Sequence, residues 1–312
     1  MRRVVCREFA DPERFELVEE PTPEPGPGEV LVSVEATAVS FVDGLIARGG
    51  YQLRPPLPFT PGTAVAGTTA DGRRVAALLM SFGGFASHVV VPEDLLVPVP
   101  DGVDPAVAAS SMESHGTIAF ALRERVAVRP GEWVVVLGAS GGIGRAAIDH
   151  SRAAGARVLA VASTPDKRAA ALAAGAEAAV GYDGLKDTVR EHTGGGADVV
   201  IDPVGGDAAE AALRALGTGG RFCVLGFTSG GIPRLPANVV LLRNRTVVGV
   251  DWGDWSRTDP VASRDLAEDV LRRIAAGELH PAPPRALPLA DAAVATRAYA
   301  ERSAVGKLVL AP

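Results

Sequence analysis

The stretch Gly138-Ala-Ser-Gly-Gly-Ile-Gly144 has the residue types and spacing to hold a phosphate. Glycines at a handover from strand to helix allow a tight turn. They also let the backbone approach a pyrophosphate, whose charge the helix N-terminus stabilises. Gly138, Ala139, Ser140, Gly141, Gly142, Ile143 and Gly144 are therefore candidate cofactor contacts. Farther on the chain reads Ala162-Ser-Thr-Pro-Asp-Lys-Arg168. An Asp or Glu at the end of the second strand usually binds the ribose 2′-hydroxyl of NAD. Here Ser163 is small and can donate a hydrogen bond, and Lys167, one helical turn on, can meet a 2′-phosphate. Asp166 sits in a first helical turn, where an acid serves the helix dipole. One charge-assisted contact is worth ~1.5–3 kcal/mol, so these residues predict NADPH over NADH.

Other groups able to do chemistry are sparse. His88, His115, His150, His192 and His280 show no metal-ligand spacing and read as surface or packed histidines. Cys6 and Cys223, far apart in predicted strands, read as small buried hydrophobes and not as a disulfide or redox pair. Tyr182-Asp-Gly-Leu-Lys186 has the Tyr-x-x-x-Lys spacing of short-chain dehydrogenases, whose glycine pattern Gly138–Gly144 also fits. That pair follows the glycines too closely, just past the third predicted strand. The β-rich N-terminus also has no place in that fold, so the short-chain reading is set aside.

The elements that must position these residues differ along the chain. A length of 312 residues favours two domains. From Val4 to about Pro100, short apolar runs such as Glu29–Glu35, Arg74–Leu79 and His88–Val91 alternate with Pro- and Gly-rich turns, the pattern of a compact β domain. The middle alternates strand and helix. Strands are predicted at Trp133–Leu137, Arg157–Val161, Ala176–Val180, Val199–Asp202, Arg221–Leu225 and Thr246–Val250, with a helix from Ile143 to Ala154. This alternation implies right-handed crossovers and a parallel, doubly wound sheet. After Ser256, helices are predicted at 265–276 and 289–301 and a strand at 307–310. The expected division is a β domain over 1–113, completed by 256–312, and a nucleotide-binding domain over 114–255.

Pro25-Gly-Pro-Gly-Glu-Val-Leu-Val32, Phe41-Val-Asp43, Arg48-Gly-Gly-Tyr51, Pro61-Gly62 and Gly83-Gly-Phe-Ala86 carry a resemblance that continues beyond the glycine loop. Asp202-Pro-Val-Gly-Gly206, Gly226-Phe-Thr-Ser-Gly230 and Gly306-Lys-Leu-Val309 extend it. In this order the segments resemble the zinc-independent quinone oxidoreductases of the medium-chain dehydrogenase/reductases. The resemblance implies a GroES-like β domain and a Rossmann doubly wound parallel sheet, an α/β architecture. It places a 2′-phosphate on Ser163, Lys167 and Tyr182, and it implies a homodimer paired through Thr246–Val250. Substrate-side candidates are Ser40, Asp43 and Tyr51, with Thr117 near the nicotinamide. Phe227, Asn238 and Trp252 are further pocket candidates, of which Phe227 and Asn238 are assigned to the cofactor.

Several positions depart from that family. Ser40 stands where Asn is usual, and Gly67–Arg73 is shorter than in relatives, which predicts a tight hairpin turning at Asp71-Gly72. Met112-Glu113-Ser114-His115 replaces the usual apolar residues, and loop-surface roles are expected for Glu113 and His115. Zinc-containing relatives use a Cys and a His-Glu pair; here 40–45 holds no Cys and the second region reads Gly62-Thr-Ala64. No metal is expected. Without a Lewis acid, hydride addition to a conjugated acceptor is favoured over carbonyl–alcohol exchange, because the acceptor delocalises its own charge. The reading is an NADPH-dependent reductase of a quinone or α,β-unsaturated carbonyl. The alternatives are an enoyl or alkenal reductase of a biosynthetic pathway and an NADPH-binding sensor with little turnover. A net charge of -6 argues against nucleic-acid and membrane partners, which favour basic patches. The N-terminus lacks the apolar region of an export signal, so a cytoplasmic location is expected.

Overall fold

In the computed structural model, which describes residues 1–301 and 303–312, the N-terminal apolar runs form β1 (Arg2–Val5), β2 (Glu16–Glu19), β3 (Glu29–Val39), β4 (Ala64–Thr69), β5 (Arg74–Leu78), β6 (His88–Pro92) and β7 (Val97–Pro98). Helix α1 (Phe41–Ala47) follows β3, and α2 (Pro105–Phe120) leads out of the unit. Alternation in β3 buries Val32, Val34, Ala36 and Ala38 against the core, as period-2 patterning requires. Gly67 of β4 lies against β3 so closely that a Cβ there would stand 2.0 Å from the Ser33 carbonyl oxygen. The β4–β5 hairpin is tight, but its turn sits one residue earlier than expected. Gly72 N–H donates to Thr69 O across Ala70-Asp71, and Gly72 adopts φ 83. This is a three-residue loop with glycine at the left-handed position, in place of a two-residue Asp-Gly turn.

The middle of the chain forms β8 (Trp133–Leu137), α3 (Gly142–Ala153), β9 (Arg157–Val161), α4 (Pro165–Ala173), β10 (Ala178–Val180), α5 (Leu185–His192), β11 (Ala197–Asp202), α6 (Gly206–Ala215), β12 (Leu216–Val224), α7 (Ala237–Leu241) and β13 (Thr246–Gly249). The strands are parallel in the order β10-β9-β8-β11-β12-β13. That is the doubly wound dinucleotide-binding order, with its switch point between β8 and β11. Val134 and Val136 pack to one face of β8 and Val135 and Leu137 to the other, which explains the unbroken apolar run.

The remainder is α8 (Trp252–Thr258), α9 (Pro260–Ala275), β14 (Arg285–Pro288), α10 (Ala292–Ala300) and β15 (Leu308–Ala311). β14 and β15 join the first sheet, whose order is β14-β15-β3-β4-β5-β7 with β6 also on β3. One compact unit contains 1–116, 253–278 and 282–312, and the other 117–252 and 279–281. Residues 279–281 thus cluster with the nucleotide-binding unit, where His280 N–H donates to Asp149 Oδ2 at 2.7 Å.

Three helical expectations need correction. α9 begins at Pro260 and not at 265, because Asp259 accepts a hydrogen bond from Ala262 N and proline fits the first turn. α10 begins at Ala292, because Leu289–Asp291 is a 3₁₀ turn. Glu113 and His115 lie on α2 and not on a surface loop; His115 is buried, and Glu113 pairs with Lys307. Among the described residues, no helix is long and apolar enough to cross a membrane.

Candidate active site

The glycine loop is built by the end of β8. Gly138 takes φ 59, and Gly141 N–H closes the turn on its carbonyl at 3.0 Å. Gly144 must be glycine: a Cβ would lie 2.3 Å from Gly138 O and 2.6 Å from Ala139 Cα. Gly141 is the N-cap of α3 and no side chain caps that helix. Its N-terminal dipole therefore meets no side-chain acceptor at the cap. At Gly141 a Cβ would meet nothing nearer than 3.5 Å. A tight turn, an uncapped helix end and free approach at Gly141 suit the pyrophosphate of a dinucleotide.

Tyr182 holds the same turn. Its Oη accepts the Gly138 N–H at 3.0 Å, leaving its own hydroxyl hydrogen to donate. Burial raises its pKa, the Gly138 bond opposes that, and Asp202 adds to it. Sequence reasoning alone had no role for this tyrosine.

At the end of β9, Thr164 caps α4 by accepting Lys167 N–H at 3.3 Å, and Pro165 fills the first turn. Ser163 is exposed and Lys167 half-buried beside it. The structure adds Arg168, which was not among the candidates. Its Nη1 lies 3.3 Å from Ala162 O and 3.4 Å from Ser163 O, so a second cation lies at this strand end. The dipeptide Lys167-Arg168 was the available signal.

A third loop borders the switch point. Asp202, at the end of β11 and 1% exposed, accepts Val204 N–H at 2.8 Å and Gly205 N–H at 2.9 Å through Oδ1. Burial raises its pKa against those two bonds. The segment it shapes is zipped to the next loop by Thr228 N–H to Pro203 O, Ser229 N–H to Val204 O and Gly206 N–H to Gly231 O. Phe227 packs over Gly205, where a Cβ would meet its ring at 2.9 Å. Asp202 is a positioning residue that sequence reasoning passed over. Thr117 is half-buried in α2, and Trp252 is buried. Asn238 is exposed in the first turn of α7, its carbonyl accepting Leu242 N–H.

In the β-rich unit, Ser40 and Asp43 form a reciprocal capping box on α1. Asp43 N–H donates to Ser40 Oγ at 3.3 Å and Ser40 N–H to Asp43 Oδ2 at 2.7 Å. Gly62 N–H donates to the other carboxyl oxygen at 3.1 Å. Both are buried. Burial pushes Asp43 up to about 7 and the charge of Glu113 adds to it, while the Ser40 and Gly62 bonds pull the other way. Asp43 therefore acts through the backbone it holds. Tyr51 is half-buried against Cys6, Ile46 and Phe59.

Two family models match the chain: the alcohol dehydrogenase GroES-like domain over residues 26–101 and the zinc-binding dehydrogenase over 142–268. Fold and site thus define a medium-chain dehydrogenase/reductase. Quinone oxidoreductase-like protein 2 of Bos taurus is 36% identical over 325 residues, covering 99% of this chain and 92% of that protein. The quinone oxidoreductase of Thermus thermophilus, described with its NADPH complex, is 36% identical with a TM-score of 0.88, covering 100% of both chains. The phthioceranic/hydroxyphthioceranic acid synthase of Mycobacterium tuberculosis is 34% identical across 99% of this chain, which spans 15% of that synthase. The chain belongs to the quinone oxidoreductase branch of the medium-chain dehydrogenase/reductase superfamily, and it is an oxidoreductase.

The name of the second family model implies zinc, and the donor set does not fit it. Among the described residues, no three of His, Cys, Asp and Glu come together to hold a metal ion. Cys6 and Cys223 are both buried, unpaired thiols, and burial pushes Cys223 up to about 12.

Proposed function

We propose that this protein is an NADPH-dependent, zinc-free reductase of quinones or α,β-unsaturated carbonyls. The observation that carries the reading is the end of β9, where Ser163, Lys167 and Arg168 stand in place of an NAD-selecting carboxylate, next to an uncapped glycine loop. The NADPH complex of the Thermus thermophilus relative supports it. When bound, NADPH supplies a hydride. Gly138–Gly144 and the N-terminus of α3 hold the pyrophosphate, with Tyr182 fixing the turn from behind. Ser163 and Lys167 hold the 2′-phosphate, Arg168 adds charge, and Phe227 with the Asp202-shaped loop walls the site. The chain's main contribution is orientation and exclusion of water. A conjugated acceptor spreads its own developing charge, which suits a donor set without a metal. Solvent supplies the proton.

The test is oxidation of NADPH and NADH by the purified protein with a chelator present, across simple quinones, enones and alkenals. Turnover with NADPH is expected, and stoichiometric zinc in a metal analysis would overturn the zinc-free assignment. In the same assay Lys167→Ala should weaken NADPH roughly ten- to a hundredfold and leave NADH nearly unchanged. Equal weakening of both cofactors sinks the 2′-phosphate assignment. A second reading, an enoyl reductase serving biosynthesis, is favoured by the match to the mycobacterial synthase; preference for enoyl thioesters over quinones would select it.

A homodimer is part of the same proposal. β13 is a sheet edge, and Leu241 at 77% and Leu242 at 62% are exposed close to it in sequence. An edge strand flanked by apolar residues suits pairing with the same strand of a second copy. Light scattering should give a dimer, and Leu241→Glu with Leu242→Glu a monomer. A monomeric wild type overturns the dimer. The unpaired, buried thiols fit a reducing, cytoplasmic setting.

A further inference from the structure

Four ionisable side chains lie within one another's reach: Asp43 of α1, Glu113 of α2, Tyr299 of α10 and Lys307 just ahead of β15. Lys307, just ahead of β15, has a side chain 13% exposed and donates to Glu113 Oε2 at 3.2 Å and to Val39 O at 3.4 Å. β15 pairs Leu308 with Val39, so the ammonium is fixed at the last residue of β3, next to Ser40. Tyr299 of α10 accepts Leu308 N–H at 2.9 Å and donates to Gly306 O at 3.4 Å, which holds the backbone on both sides of Lys307. Asp43 completes the group.

Among the described residues, Lys307 is the cation that serves two carboxylates, Glu113 directly and Asp43 through space. Glu113 raises the pKa of Lys307 against the opposing effect of burial, and Asp43 adds to that support. Asp43 interacts through space with Glu113 of α2, with Lys307 at the start of β15 and with Tyr299 of α10, and it accepts the Gly62 N–H from the 61–62 turn. On its own helix, Arg48 is turned to Asp11 at 2.6 Å.

We propose that Lys307 and Glu113 are positioning residues of the reductase site: the pair fixes the end of β3 that presents Ser40 and governs the charge on Asp43. The bond from Ser40 N–H to the Asp43 carboxylate is stronger when that group is ionised, and the Ser40 side chain also favours its ionised form. The setting of the Ser40 hydroxyl therefore follows that charge. This inference rests on the proposed reductase function and on Ser40 as a substrate-side residue. Glu113 is a departure of this chain from the apolar residues usual in its family.

The test measures kcat and the unfolding temperature from pH 5 to 9 for wild type, Asp43→Asn, Glu113→Gln, Lys307→Met and Lys307→Arg. Folded Asp43 holds its proton to higher pH than the unfolded chain, whose aspartate titrates at about 3.9. Stability should fall as pH rises and level off above a midpoint near 7, and Asp43→Asn should remove that slope. Glu113→Gln takes away a neighbouring negative charge and should lower the midpoint. Lys307→Met takes away the cation and should raise it, each by about one unit, while Lys307→Arg stays near wild type. Midpoints that stay in place, or move together, overturn the proposal, as does a wild type without an Asp43-dependent titration. If Lys307→Met does not fold, Glu113→Gln decides alone. Absence of turnover with every acceptor would defeat the reductase reading, whereas the unfolding titration still reads the pair.

Discussion

Gly144→Val should abolish NADPH binding, with an affinity loss greater than a hundredfold, about 3 kcal/mol or more. The cause is steric. The first carbon of any side chain at 144 would lie 2.3 Å from Gly138 O and 2.6 Å from Ala139 Cα. Both obstacles are backbone, which cannot rotate aside as a side-chain tip can. Either α3 must move off the end of β8 or the turn closed by Gly141 N–H must open, and each displaces the backbone proposed to hold the pyrophosphate. Overpacking of this kind costs ~1–3 kcal/mol in folding stability as well. Gly141→Ala separates the two effects. Gly141 has an ordinary extended conformation, φ -78 and ψ 174, and an added Cβ would approach Gly138 O only to 3.5 Å. That variant should unfold at the wild-type temperature and still bind NADPH more weakly, because its methyl group occupies the path of a phosphate. Nucleotide fluorescence titration and thermal unfolding measure both. Wild-type NADPH affinity in Gly144→Val would remove the glycine loop from the cofactor site.

The legibility of this protein follows the range of its interactions. The parallel sheet is readable because each central strand is buried on both faces and leaves an unbroken apolar run between glycines, as in Trp133–Leu137. The capping box on α1 is readable too, since Ser40-x-x-Asp43 is a local pattern. α2 is not. Ala108, Ala109, Met112, His115 and Ile118 are all buried, so the helix has no polar stripe to give it a period, and Glu113 reads as part of a loop. The Lys307–Glu113 pair joins residues 194 positions apart, and no local spacing announces such a contact. Tyr182 shows the middle case. The bare sequence offers a loop aromatic, the family resemblance offers a phosphate contact, and the fold shows its hydroxyl oxygen on Gly138. Asp202 was visible within Asp202-Pro-Val-Gly-Gly206, but its work lies in turning the chain back to donate two N–H groups to one oxygen, which spacing alone does not reveal.

Asp202→Ala should therefore be among the more damaging single changes in the nucleotide-binding unit. It leaves Val204 N–H and Gly205 N–H without their acceptor, at roughly 1–3 kcal/mol for each buried donor. A combined loss of about 2–6 kcal/mol corresponds to an unfolding temperature lower by about 3–9 °C. The loop from 203 to 206 also packs Val204 against Gly138, where a Cβ would meet Val204 Cγ2 at 2.9 Å, so NADPH affinity should fall with it. Asp202→Asn keeps an oxygen acceptor in the same place and should retain most of the stability and the affinity. It should also remove a pH dependence. Burial raises the folded pKa of Asp202 above its unfolded value. The stability its protonated form gives is complete below the unfolded value, about 3.9, and is lost as pH rises through the folded value. The asparagine variant should be flatter than wild type across that window, and the alanine variant flatter but lower throughout. Equal damage from Asn and Ala would show that the negative charge, and not the oxygen acceptor, holds the turn.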